Sequence, residues 1–163
     1  MIQQLDFVKE TGLPRWGCLW LSLVLSVFMF FGRVPSYETV MQIYIDCRRK
    51  KFGGKNALVN EGQERDWRLV MHWPDIVLRT ALGYVETGYD AAQFRDTEFK
   101  LPERPSDYPG LTYSLLAFER PAGLHWVLGD KLGRNILYNP DEQLDINPWK
   151  RAPVFRGVQI WAE

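Results

Sequence analysis

Cysteine and histidine, the residues of thiol catalysis and of most zinc sites, are scarce in this chain, with two of each. Cys18 and Cys47 are too few to staple a small scaffold, and their spacing suits no zinc ribbon. That scarcity fits a reducing compartment, and the expected localisation is cytoplasmic. Net charge is also missing: 20 Lys and Arg stand against 20 Asp and Glu. Binding a phosphate backbone needs concentrated positive charge, so no nucleic-acid partner is expected. Long apolar runs are absent as well. The longest, Leu19 to Phe31, is thirteen residues interrupted by Ser22 and Ser26, against the roughly twenty of a transmembrane helix. No stable membrane span is expected. The run has the length of a signal-peptide core, but its lead-in "LDFVKETGLPRWG" contains acids and no small-x-small cleavage site follows at "FFGRVPS". A lipoprotein cysteine would follow its apolar run, whereas Cys18 precedes it. Internal repeats and low-complexity tracts are lacking too.

What is present is the composition of a globular protein, 46% hydrophobic and 25% charged over 163 residues, which reads as a single domain spanning 1–163. Seven tryptophans suit a large core. The apolar stretch after Cys18 is hydrophobic on nearly every side, the mark of a central buried helix. Pro14 and Gly17 interrupt the chain just before it, which starts the helix close to Cys18. Further on, Ser36 is placed to cap a helix whose apolar face is Val40, Ile43, Tyr44 and Cys47. The cations of 48–51 fall at its C-terminus, where they complement the dipole. "KFGGKNALVNEGQERDW" reads as a loop with a short extended piece, and "WPDIVLRTALG" as a helix with Pro74 in its first turn.

Three prolines in "LPERPSDYPG", residues 101–110, mark a connecting loop. Beyond it "LTYSLLAFE", "LHWVLGD", "NILYN" and "VFRGVQIWA" have the shortness and turn punctuation of an antiparallel meander. The expected fold class is α+β: a helical half over about 1–100, with a central Cys-bearing helix, packed on an antiparallel sheet from a strand-rich half over about 110–163.

A cysteine in the first turn of a helix faces unpaired N–H groups and the positive end of the dipole, which favours the thiolate. To act as a nucleophile it also needs a base and a group to orient that base. His72 precedes a helix in the same half as Cys18 and reads as a helix-flanking residue. His125 opens a strand in the other half, so a cleft between halves would bring it to Cys18. In the hairpin "HWVLGDKLGRNILYNP", Asn139 shares a face with His125 if the loop is odd and turns away if it is even. Asp130, Asp141 and Asp145 are the alternatives for the orienting role. A metal site drawn from Cys18, Cys47, His72 and His125 has no ligand pair at helical or knuckle spacing, so no metal or other cofactor is expected.

In order and context, "GCLWLSL", "GLHWVLGD" and "ILYNP" resemble the papain-like cysteine peptidase fold, in the form of its bacterial double-glycine peptidase-like branch. The resemblance implies Cys18 as nucleophile, His125 as general base and Asn139 as the residue orienting it, with a peptide or peptidoglycan-like substrate. Two positions depart from the pattern. Gly12 stands where the family has a glutamine that completes the oxyanion hole, and Leu19 stands where a small residue usually follows the cysteine. Loss of one oxyanion donor costs about a hundred- to a thousandfold in rate. The expected function is therefore a cysteine hydrolase acting on a peptide or amide bond at reduced rate. The alternative is a catalytically inactive module of the same fold that binds a peptide or glycan.

Overall fold

The helix that begins at Cys18 is the centre of the molecule. A computed structural model describes residues 17–61, 68–85, 92–100, 113–120, 123–131, 135–141 and 154–162, and α1 covers Cys18–Phe30. Every side chain from Trp20 through Phe28 is buried. A helix with no polar face has only the middle of the protein to occupy. It ends in a Schellman closure: Gly32 N–H donates to Met29 O at 3.0 Å and Arg33 N–H to Phe28 O at 2.9 Å. That closure needs a residue tolerant of positive φ, and Gly32 has φ 66°.

The second helix, α2, spans Tyr37–Arg49, and the Ser36 side chain caps it by accepting from Thr39 N–H at 3.2 Å. Its apolar face, Val40, Ile43, Tyr44 and Cys47, is buried as the spacing predicts. The Trp20 and Tyr44 rings meet edge-to-face with centroids 5.7 Å apart, and Cys47 faces the Trp20 indole and the Thr80 hydroxyl. The start of α1 thus lies beside the end of α2. The third helix, α3, spans Pro74–Gly83 with its proline in the first turn and packs against both α1 and α2.

Between α2 and α3 lie two hairpins. The first pairs β1 (Lys51–Phe52) with β2 (Lys55–Asn56), the second β3 (Leu58–Glu61) with β4 (Arg68–Met71). The Gly53 and Gly54 φ values of 58° and 78° suit a two-residue turn with positive φ at both centres. The main sheet is antiparallel with strand order β5-β9-β6-β7-β8. Its strands are β5 (Ala92–Lys100), β6 (Tyr113–Arg120), β7 (Gly123–Gly129), β8 (Ile136–Tyr138) and β9 (Val154–Ala162). The α+β class and the antiparallel sheet are as expected, and α1 packs on β7 and β6.

The division into halves differs from the expectation. The first hundred residues hold β1–β5 as well as the helices, and β5 pairs along its whole length with β9, entering the sheet ascribed to the second half. The sequence "AQFRDTEFK" lacks clean alternation, and its partner lies far along the chain, so no local signal announces it.

The interface between α2 and α3 titrates. The Tyr84 hydroxyl donates to Asp46 Oδ2. That bond holds the Asp46 carboxyl below its ordinary value and pushes Tyr84 up to about 12. Burial pushes the Cys47 thiol up to about 11. Both raised groups stay protonated in the folded chain at a pH where the unfolded chain has released the proton, so stability falls as pH rises. The Cys47 contribution is complete below pH 9.0 and is lost through about 11. The Tyr84 contribution is lost between 10.0 and about 12. Thermal melts against pH are expected to show this alkaline decline, and Tyr84→Phe is expected to flatten its upper part. An unchanged slope in that variant would remove the Asp46–Tyr84 bond as its cause.

Candidate active site

Cys18 is the first residue of α1, and the helix's opening hydrogen bond, Leu21 N–H to Gly17 O at 2.9 Å, closes around it. The N-cap of α1 is Gly17, which has no side chain to offer as a cap. The sulfur lies at the positive end of the helix dipole. The side chain is 3% exposed, and its Sγ accepts the Trp126 backbone N–H at 3.5 Å. β8 pairs with β7 only at Leu128 and Gly129, which leaves Trp126 outside that ladder, where Cys18 meets the strand. Trp126 directly follows His125, so the sulfur lies within about 6 Å of the His125 Cα.

His125 is 1% exposed and alternates along β7 with Trp126 and Leu128. Leu115, Leu128 and Tyr138 belong to the same buried cluster as the α1 side chains, and His125 points to the other face of the sheet. Cys18 consequently approaches β7 through the main-chain N–H, at the point where β8 stops pairing.

The register of the β7–β8 hairpin settles the position of Asn139. Gly129 is paired with Ile136 and Leu128 with Tyr138, so Leu137 is the extra residue of a β-bulge. Tyr138 thereby shares a face with Leu128, and Asn139, one residue on, shares the face of His125. The odd register follows from the bulge together with a turn that Asp130 closes. Asp130 N–H donates to Asn135 O at 2.9 Å. Its Oδ2 accepts from Asn135 N–H at 3.2 Å and from Asn135 Nδ2 at 2.8 Å.

Asn139 Oδ1 lies 2.7 Å from His125 Nε2 and also accepts the Asp141 backbone N–H at 3.1 Å. The second bond arches over Pro140 as an Asx turn. It also settles the chemistry of the first. A backbone N–H can only donate, so the atom it meets is the carboxamide oxygen and not the nitrogen. The oxygen can only accept, so His125 Nε2 carries a proton. In the neutral ring Nδ1 is then the unprotonated nitrogen, the one that can act as a base.

The alternatives sort themselves by these bonds. Asp130 is engaged in the hairpin turn. Asp141 gives its backbone N–H to the Asn139 carboxamide oxygen. Asp145 and Gly12 lie outside the described residues. His72 sits before α3, half-buried, with its N–H donating to Ala57 O at 2.9 Å. Cys47 is fully buried in the interface of the three helices. Among the described residues, no three His, Cys, Asp or Glu side chains gather into a cation site. No helix among them is long and apolar enough to cross a membrane.

Two main-chain groups in the site were missed from sequence, the Trp126 and Asp141 N–H groups. The Asn-Pro dipeptide at 139–140 is a turn signal that pointed to the second, whereas nothing local pointed to the first. Compared with protein-family models, with curated proteins and with solved structures, the chain finds no match.

Proposed function

We propose that the chain is a cysteine hydrolase of papain-like fold that cleaves a peptide or amide bond. Cys18 is the nucleophile, His125 the general base and Asn139 the orienting group. The observation that carries the reading is the Asn139 Oδ1 atom, 2.7 Å from His125 Nε2 and fixed in identity by the Asp141 N–H. With Nε2 protonated, Nδ1 is the ring nitrogen that can act as a base, and the Cys18 sulfur at the helix N-terminus lies within about 6 Å of the His125 Cα.

In this scheme the Cys18 thiol gives its proton to Nδ1, and the thiolate attacks the carbonyl carbon. The tetrahedral intermediate expels the amine, which takes the proton from Nδ1 and leaves a thioester on Cys18. Water, deprotonated at Nδ1, then attacks the thioester and releases the carboxylic acid and the thiol. The N–H groups of the first turn of α1, which have no intrahelical acceptor, are the donors available to the oxyanion.

A second reading is a catalytically inactive module that binds a peptide or glycan. It is favoured by the deep burial of Cys18 and His125 and by Gly12 in the place of the family's glutamine. The rate of iodoacetamide alkylation against pH separates the two, with Cys47 as internal control. For the hydrolase, Cys18 is expected to alkylate with a midpoint below pH 7. Cys47, buried and pushed up to about 11, stays unreactive through the neutral range. A Cys18 midpoint at about 8.5, the value of an ordinary thiol, removes the hydrolase reading and leaves the binding module.

A further inference from the structure

The basic run at the end of α2 does not stop with the helix. Arg48, Arg49, Lys50 and Lys51 lead into the β1–β2 hairpin, which adds Lys55, and all five side chains are exposed. A helix dipole is complemented by cations in its last turn alone, and here the charge continues past it. Asp46, the acid nearest in sequence, is engaged by Tyr84 and by Gln42 Nε2 at 3.0 Å and feels the charges of Lys50 and Arg49, which leaves the run with more cations than this one acid balances. Lys50 also reaches Thr80 Oγ1 at 3.0 Å. Within the run stands Phe52, 62% exposed and held edge-on to Trp73 with ring centroids 5.2 Å apart. Trp73 is in turn tied to the hairpin by its indole N–H, which donates to Lys55 O at 3.3 Å. The hairpin therefore displays one fixed apolar ring among cations.

Its place in the fold gives that display a direction. The Arg48 guanidinium lies 5.6 Å from the centroid of the Tyr44 ring, and Tyr44 packs on Trp20, two residues after Cys18. The basic run and the first turn of α1 are thus linked through the Tyr44 ring.

We propose that the segment 48–55 is a docking surface for an acidic stretch of extended polypeptide. Carboxylates would pair with its cations and an apolar side chain would rest on Phe52. The proposal rests on the hydrolase reading only in making that polypeptide the substrate; the binding itself does not involve Cys18. A single exposed ring on the hairpin is little apolar surface for a membrane face, which needs a continuous amphipathic stretch. The neutral chain as a whole lacks the extended positive field that a phosphate backbone calls for.

The test is fluorescence anisotropy with a labelled Glu-rich peptide that contains phenylalanine, on Cys18→Ala protein so that no cleavage intervenes. The peptide is expected to bind and to weaken with added salt. Affinity is expected to fall about tenfold or more in the double variant Lys51→Glu, Lys55→Glu, and to fall also in Phe52→Ala. The matching Gln-rich peptide is expected not to bind. These are exposed positions, and unchanged melting temperatures establish that the variants are folded. Equal binding by wild-type and charge-reversed protein overturns the proposal, and so does tighter binding to phosphatidylserine vesicles or to an oligoribonucleotide than to the peptide. If docking fails while Cys18 still alkylates below pH 7, only the docking surface is lost. If docking holds while Cys18 behaves as an ordinary thiol, the surface belongs to a binding module.

Discussion

In His125→Ala, the midpoint of Cys18 alkylation is expected to rise by about two pH units or more, to the range of an ordinary or buried thiol. The wild-type thiolate is favoured by the α1 N-terminus, by the Trp126 N–H at 3.5 Å and, in the proposed mechanism, by an imidazolium. Removing the imidazole leaves the first two. A helix N-terminus contributes about 0.3–1 kcal/mol, under one pH unit, so the larger share of the shift falls on His125. The midpoint is the quantity to read, not the rate at one pH. The thiolate of a higher-pKa thiol is more nucleophilic, which offsets part of the loss in thiolate fraction. Peptide turnover has no such offset, because His125 also delivers the proton to the leaving amine, and there the loss is expected to be about a thousandfold or more.

Asn139→Ala leaves the ring in place and removes the acceptor that fixes a proton on Nε2. Its effect is expected in the same direction and smaller than that of His125→Ala, because a ring with free choice of tautomer still spends part of its time with Nδ1 unprotonated. A Cys18 midpoint unmoved by His125→Ala would mean that no thiolate–imidazole pair exists, whatever the distance between His125 and Asn139.

How much of this was legible before the fold depends on the range of the interaction that fixes each residue. Cys18 at the start of a buried helix, Ser36 as a cap and Pro74 in a first turn are set by neighbours a few residues away, and the sequence carries their signals. The Asn139 position was legible as a choice between two faces, because strand alternation is strict. It was not legible as an answer, since the bulge at Leu137 arises from the pairing of two strands. The strand at 92–100 was lost for a related reason: its partner is the stretch 154–162. Cys18 meets β7 at a backbone N–H, a group that every residue but proline carries, so no side-chain pattern could single it out. The basic hairpin was visible as a charge run and passed as a helix end. What changes that reading is Phe52, which the Gly53–Gly54 turn brings out among the cations.

Leu25→Ala is expected to cost about 3–5 kcal/mol of stability, enough to lower the melting temperature by about 10 °C in a chain of this size. The expectation rests on where the side chain lies. Leu25 is 1% exposed, and its neighbours along α1 are buried on all sides, so the cavity left by truncation has no mobile surface to collapse on. Two turns of helix separate it from Cys18, which puts the two roughly 10 Å apart along the axis. The alkylation midpoint of Cys18 in folded Leu25→Ala protein is therefore expected to match wild type, while His125→Ala moves the midpoint and spares most of the core. A loss below about 1 kcal/mol would place α1 at a surface and undo the central-helix architecture on which the site depends. A large loss accompanied by a shifted midpoint would mean that Cys18 owes its reactivity to the packing of the whole helix and not to the pairing at its first turn.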